Sequence, residues 1–161
     1  MDKHKFVYFQ LWEEYFAIDV DKIIEVMEMP KMAKLPKTPD FVMGVTNFRG
    51  EIIPVIDLRK KFMLPQEEIF SKRKYVIVIE YKSADYQNKI GVVVDRIIDV
   101  IEVEQYDITH FPELGSRYNP EFIFGVIHYD DKFILVLDIE KILEAAEVEI
   151  LKNLDLTQTD G

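Results

Sequence analysis

Asp21, Asp57, Asp95 and Asp138 are the residues of this chain that most suggest chemistry, since two carboxylates at a defined separation can serve as acid and nucleophile or base in hydrolysis. Each precedes a stretch that reads as a short helical turn (residues 22–26, 58–62, 96–100 and 139–143), where an aspartate caps free backbone amides. Capping outweighs catalysis, because the sequence around these aspartates recurs within the chain, and a small acidic hydrolase is the lesser alternative. His4, His110 and His128 stand far apart, and none has a second histidine or a cysteine at ligand spacing, so no metal site is supported. Ser71, Ser83 and Ser116 lie in loop-like contexts without an assembled base, and no glycine-rich phosphate loop occurs. No cofactor is expected.

The positioning elements are mostly β. Residues 5–11 alternate, with Phe6, Tyr8 and Gln10 against Val7, Phe9 and Leu11, and residues 75–81 and 90–94 are short β-branched runs. Residues 52–56 and 133–137 are apolar on both faces, as strands buried between two layers are. Pro54 predicts a sheet edge or a bulge in the first of these, since proline donates nothing to a ladder. Ile139, Ile142, Leu143, Ala146, Ile150, Leu151 and Leu154 form one apolar stripe and predict a single long helix. Residues 155–161 are polar and expected to be a disordered tail after a domain spanning residues 1–154. Prolines 30, 36 and 39 mark an extended connection, with a longer counterpart around Pro112, Gly115 and Pro120.

The chain repeats itself. Residues 41–62 align without a gap on residues 122–143, matching Phe41 with Phe122, Gly44 with Gly125, Val45 with Val126, Val55 with Val136, Asp57 with Asp138 and Lys60 with Lys141. Upstream, residues 17–29 (AIDVDKIIEVMEM) align on residues 91–103 (GVVVDRIIDVIEV). The two units, 17–62 and 91–143, predict one supersecondary motif used twice, hence two small antiparallel barrels sharing a core. At the hairpin tip they differ, with Phe48-Arg49-Gly50 in one and Tyr129-Asp130-Asp131 in the other. Arg49 is therefore not demanded by the motif. It suits protein recognition or, equally, a surface salt bridge to one of the many acidic residues.

Composition sets further bounds. The 161 residues carry 30 acidic and 20 basic side chains, a formal net charge of −10, which disfavours nucleic acid as a partner. Two basic clusters, Arg59-Lys60-Lys61 and Lys72-Arg73-Lys74, are expected to be solvated. The absence of cysteine excludes disulfides and thiolate chemistry and fits a cytoplasmic protein. No apolar run approaches the roughly 20 residues that span a bilayer, so direct membrane insertion is not expected.

The stretch GVTNFRGEIIPVIDLRKKF, residues 44–62, resembles the signature of the CheW family of chemotaxis adaptors. The resemblance continues through residues 6–11 and 15–20, the LPKTP segment at 35–39 and the GVVVD segment at 91–95, and covers residues 5 to 145. Phe48 stands where the family usually has leucine, and Trp12 where it usually has glycine in the first turn. The resemblance implies two five-stranded SH3-like β-barrels around a shared core, and a scaffold without catalysis. It implies bridging between the cytoplasmic tips of methyl-accepting chemoreceptors and the regulatory, itself CheW-like, domain of the histidine kinase CheA, or a comparable role in a non-flagellar kinase cluster. Carried over by residue, the receptor-contact region is Ile23 and Glu25 on the first short helix, Gly44 and Arg49 on the signature hairpin, and Val100. Ile23 and Val100 would floor a groove that Arg49 anchors, although both also suit ordinary core, Gly44 suits backbone geometry alone, and Glu25 suits plain solvation.

Overall fold

The computed structural model describes residues 3–65, 74–83, 86–109 and 120–158. The protein is mostly β, folded into two curved sheets. The strands are β1 (Lys3–Leu11), β2 (Glu14–Asp19), β3 (Ile23–Glu28), β4 (Val42–Phe48), β5 (Glu51–Asp57), β6 (Tyr75–Lys82), β7 (Gln87–Val94), β8 (Arg96–Glu104), β9 (Ile108–Thr109), β10 (Ile123–Tyr129) and β11 (Lys132–Leu137). One sheet has six strands in the order β8-β1-β2-β11-β10-β9 and the other five in the order β3-β6-β7-β5-β4. Six and five strands replace the five and five expected.

The sheets do not correspond to the two halves of the chain. The six-stranded sheet combines β1 and β2 with β8 to β11, while the five-stranded sheet combines β3 to β5 with β6 and β7. Each repeat unit thus starts in one sheet and finishes in the other. The chain crosses at the 3-10 turn Val20–Lys22 between β2 and β3, and at Asp95 between β7 and β8. Internal symmetry survives in the register. Val55 lies opposite Gly91 in the parallel β5/β7 pairing, and the equivalent Val136 lies opposite Ala17 in the parallel β11/β2 pairing. The amide of Asp57 donates to Phe41 O at 2.8 Å, and that of Asp138 to Phe122 O at 2.8 Å. Both repeated hairpins shift register at the same place, between Val42 and Gly44 and between Ile123 and Gly125.

Three apolar clusters fill the body. Phe6, Tyr8, Ala17, Ile101, Ile127 and Ile134 line the inside of the six-stranded sheet. Phe48, Ile53, Val55, Val76, Val78 and Val93 do the same for the five-stranded sheet. The largest cluster lies between them and includes Phe9, Phe16, Phe62 and Phe122, whose rings follow one another at centroid separations of 6.2, 5.5 and 5.8 Å. The alternation of β1 is therefore real, but both of its faces are buried, one in a sheet's own core and one in the shared core.

Several local expectations change. Residues 23–26 and 96–100 are strand, not helix, since β-branched runs on edge strands pair with β6 and β1 instead of coiling. Asp21 does not cap, and Asp19 accepts from the Asp21 amide at 2.8 Å instead. Asp57 does cap, accepting from the amides of Arg59 at 2.9 Å and Lys60 at 3.4 Å to start helix α1 (Leu58–Lys61). Asp138 precedes only the 3-10 turn Ile139–Lys141 and makes no side-chain cap bond. Helix α2 (Ala145–Gln158) begins later than the stripe predicts, buries Val148 and Leu151, leaves Ala146 exposed, and runs into the expected tail. Residues 159–161 lie outside the described residues, as do Lys72, Arg73, Ser71, His110, Pro112, Gly115 and Ser116. Pro54 is buried opposite Val45 inside the sheet. It is tolerated because pairing of β5 to β7 begins only at Val55.

Candidate partner-binding surface

The β4–β5 hairpin closes in a two-residue turn with Arg49 at φ +52° and Gly50 at φ +86°, and Asp130 and Asp131 repeat that geometry at +51° and +60°. Both central residues lie in the left-handed region, the mark of the turn that follows strand twist. Asn47 supports the tip by accepting from the Gly50 amide at 3.0 Å. Phe48 points into the core of the five-stranded sheet, and the Arg49 guanidinium carbon sits 4.8 Å from the centre of its ring. The larger ring at position 48 thus gives the arginine a platform.

Arg49 donates to Glu25 of β3. Two residues carried over separately from the resemblance are therefore partners. Of the two readings of Arg49, the salt bridge is the one formed within the chain, and the pair is exposed. Beside it, Glu51 accepts from Lys89 Nζ at 2.6 Å, and this bond raises the ammonium pKa against the opposing repulsion of Arg49. The tip is a small mosaic of opposite charges above an apolar base. Partly buried Met27, Met29, Met32 and Met43 rim that base, and methionine adapts to irregular surfaces.

The other three residues fall differently. Gly44 is buried and serves the backbone, because an added Cβ would meet Ala33 O at 2.5 Å, where Ala33 bridges Val45 to close the sheet. Gly125 plays the same part against Thr109 O at 2.9 Å. Ile23 opens β3, not a helix, and packs half-buried on the shared core. Val100 is not ordinary core. It lies on β8, the edge of the other sheet, opposite Val7, and is 53% exposed. Its repeat counterpart Val26, on edge strand β3, is also exposed, at 40%.

Sequence reasoning missed a buried polar network. Arg59, expected to be solvated, is buried with its guanidinium 3.3 Å from Asp95 Oδ1, and it also donates to Pro65 O. Asp95 Oδ2 accepts from the Trp12 amide at 2.7 Å, and the Asp95 amide donates to Gln10 O at 3.1 Å. Trp12 sits at φ +56°, a conformation natural to glycine, and is fixed there by Asp95. Lys61 is likewise sequestered, pairing with Glu147 at 3.0 Å and lying 4.9 Å from the Phe122 ring centre. The available signal was the apolar character of residues 52–58, which carries this end of the hairpin inward.

A model of the CheW-like domain matches residues 5–147. The chain belongs to the CheW family. It is 32% identical over 156 residues to the chemotaxis protein CheW of Treponema pallidum, covering 95% of this chain and 89% of that one. It is 33% identical over 149 residues to the chemotaxis protein CheW of Klebsiella aerogenes, covering 92% and 87%. The crystal structure of the scaffolding protein TtCheW from Thermoanaerobacter tengcongensis superposes with a TM-score of 0.81 at 31% identity, covering 91% of this chain and 92% of that one. As a CheW-family chain it is a chemotaxis scaffold or adaptor and not an enzyme, and its buried aspartates Asp57 and Asp95 serve structure. No helix among the described residues is long and apolar enough to cross a membrane.

Proposed function

We propose that this protein couples the cytoplasmic tips of transmembrane chemoreceptors to the histidine kinase CheA, recruited to membrane arrays through these partners. The observation that carries the reading is the exposed pair that Glu25 of β3 makes with Arg49, at a hairpin tip whose architecture does not require the arginine. A guanidinium on an aromatic platform can exchange its intramolecular carboxylate for a partner's, and the methionine rim offers adaptable apolar contact for a receptor helix. The kinase's CheW-like domain suits a different feature. Exposed valines recur at equivalent positions on two edge strands, Val26 and Val100, so related surfaces can meet head to tail.

Reconstitution tests the reading. Receptor-containing membranes and kinase are assayed for phosphorylation with and without this protein, and activation should require it. Arg49→Asn should leave folding intact, since asparagine accepts positive φ, while weakening receptor and kinase assembly about tenfold, within the 1–3 kcal/mol range of a charged interface anchor. Full retention of partner binding by Arg49→Glu would remove Arg49 from the site.

A further inference from the structure

We propose that, around the shared apolar core, the two crossings between the sheets are secured by one fixed tie and one releasable tie, with Arg59–Asp95 as the pivot and Lys22–Glu140 as the clasp. The chain crosses between sheets twice, and each crossing is bound to the turn that follows a repeated hairpin. At the second crossing Asp95 pairs with Arg59 of α1. At the first, Lys22 Nζ pairs with Glu140 Oε1 at 2.8 Å. Arg59 and Glu140 occupy equivalent repeat positions, and Lys22 follows Asp21, the counterpart of Asp95. The location of the tie is repeated while its polarity is reversed, so common sequence does not impose it.

The two ties differ in what surrounds them. The Arg59 and Asp95 side chains are each only 4% exposed and are locked by Pro65 O, the Trp12 amide and Gln10. Lys22 and Glu140 are 42% and 48% exposed. Beside them a solvent-open pocket of about 280 Å³ is lined by Phe6, Asp19, Val136 and Ile139 as well as the pair itself. The turn at the first crossing therefore has both a solvent-screened bond and a water-accessible pocket beside it. Removing one partner of a buried pair strands a charge, whereas an exposed pair is worth little and weakens with salt. Release of the clasp loosens the Val20–Lys22 turn while the buried tie holds the other crossing. Strand β3, which carries Ile23 and Glu25, starts immediately after Lys22, so the motion reaches the proposed docking surface. That last step rests on the proposed function, and the clasp itself does not.

Hydrogen exchange on the full chain separates the two. Natural reporters are the Ile23 amide, bonded to Val20 O, and the Lys141 amide, bonded to Asp138 O at 2.9 Å. Lys22→Gln should speed exchange at both by about two- to fivefold, the range an exposed pair supports. Residues 57–60 and 94–97 should keep wild-type rates, high salt should reproduce the effect in the wild type, and Lys22→Glu combined with Glu140→Lys should reverse it. Unchanged exchange at Ile23 and Lys141, or equal acceleration at both ties, overturns the clasp. If exchange responds as expected but receptor binding by Lys22→Gln equals wild type, the clasp stands and its link to docking falls.

Discussion

Asp95→Asn isolates the energetic weight of the buried network. The substitution keeps nearly the same shape and an oxygen able to accept from the Trp12 amide, a bond now 2.7 Å long. It removes one charge of a pair separated by 3.3 Å, whose Coulomb attraction is about 5 kcal/mol at an effective dielectric near 20. Because Arg59 stays charged and buried, the net loss should be about 3–5 kcal/mol. For a chain of this length that lowers the melting temperature by roughly 10 °C, at about 2–4 °C per kcal/mol. Urea unfolding followed by circular dichroism reads it, with an unchanged m-value showing that the native state keeps its compactness. Adding Arg59→Met removes the stranded charge, so the double variant should recover more than half of the loss. A single variant within about 1 kcal/mol of wild type, or strictly additive effects in the double variant, would refute the reasoning.

Further outcomes follow from geometry. Gly44→Ala should cost about 1–3 kcal/mol and disrupt the Ala33–Val45 bridge, visible as lost amide protection at both residues. Asp57→Ala should cost about 1 kcal/mol in thermal unfolding through loss of its cap, whereas Asp138→Ala should stay within about 0.5 kcal/mol because its side chain caps nothing. Lys22 holds Glu140 below its ordinary pKa of 4.5, mainly by hydrogen bonding and then by charge, and Glu140 raises Lys22 above 10.5 chiefly by the same bond. The pair's contribution is thus fully present between about pH 4.5 and 10.5. It is lost as pH falls through the lower folded value of Glu140 or rises through the higher one of Lys22. Both residues are well exposed, so the difference from Lys22→Gln should remain under about 1 kcal/mol across that plateau.

Much of the fold was legible because repeated residues have repeated jobs. Gly44 and Gly125 recur where a backbone passes too close for a side chain, and the amides of Asp57 and Asp138 recur in equivalent bonds. Period and propensity failed where burial depended on distant partners. Residues 23–26 and 96–100 follow an aspartate and look like helix starts, yet each is claimed by a neighbouring strand remote in sequence. Arg59 looked solvated because its neighbours are lysines, and the arrival of Asp95 from 36 residues away, together with the Pro65 carbonyl, makes an interior position tolerable. Of the candidate site, the sequence marked Arg49 by its failure to recur, but gave no sign that Glu25 would be its partner.

The exchange of strands between sheets explains why repeated sequence yields one interlocked body. Had each unit closed its own barrel, the two could drift as beads on a linker, with only surface contacts between them. Instead each unit spans both sheets, through parallel pairings of Val55 with Gly91 and of Val136 with Ala17. Neither sheet can then be completed without the other half of the chain. A load on β3, near Arg49 and Glu25, is passed to the six-stranded sheet through the Val20–Lys22 turn, because β2 continues directly into β3. A load on β8, which presents Val100, returns to the five-stranded sheet through Asp95 and its hold on Arg59. Two partners bound to different edges would therefore act on the same pair of crossings, and the difference in burial between the two ties makes those crossings unequal in stiffness.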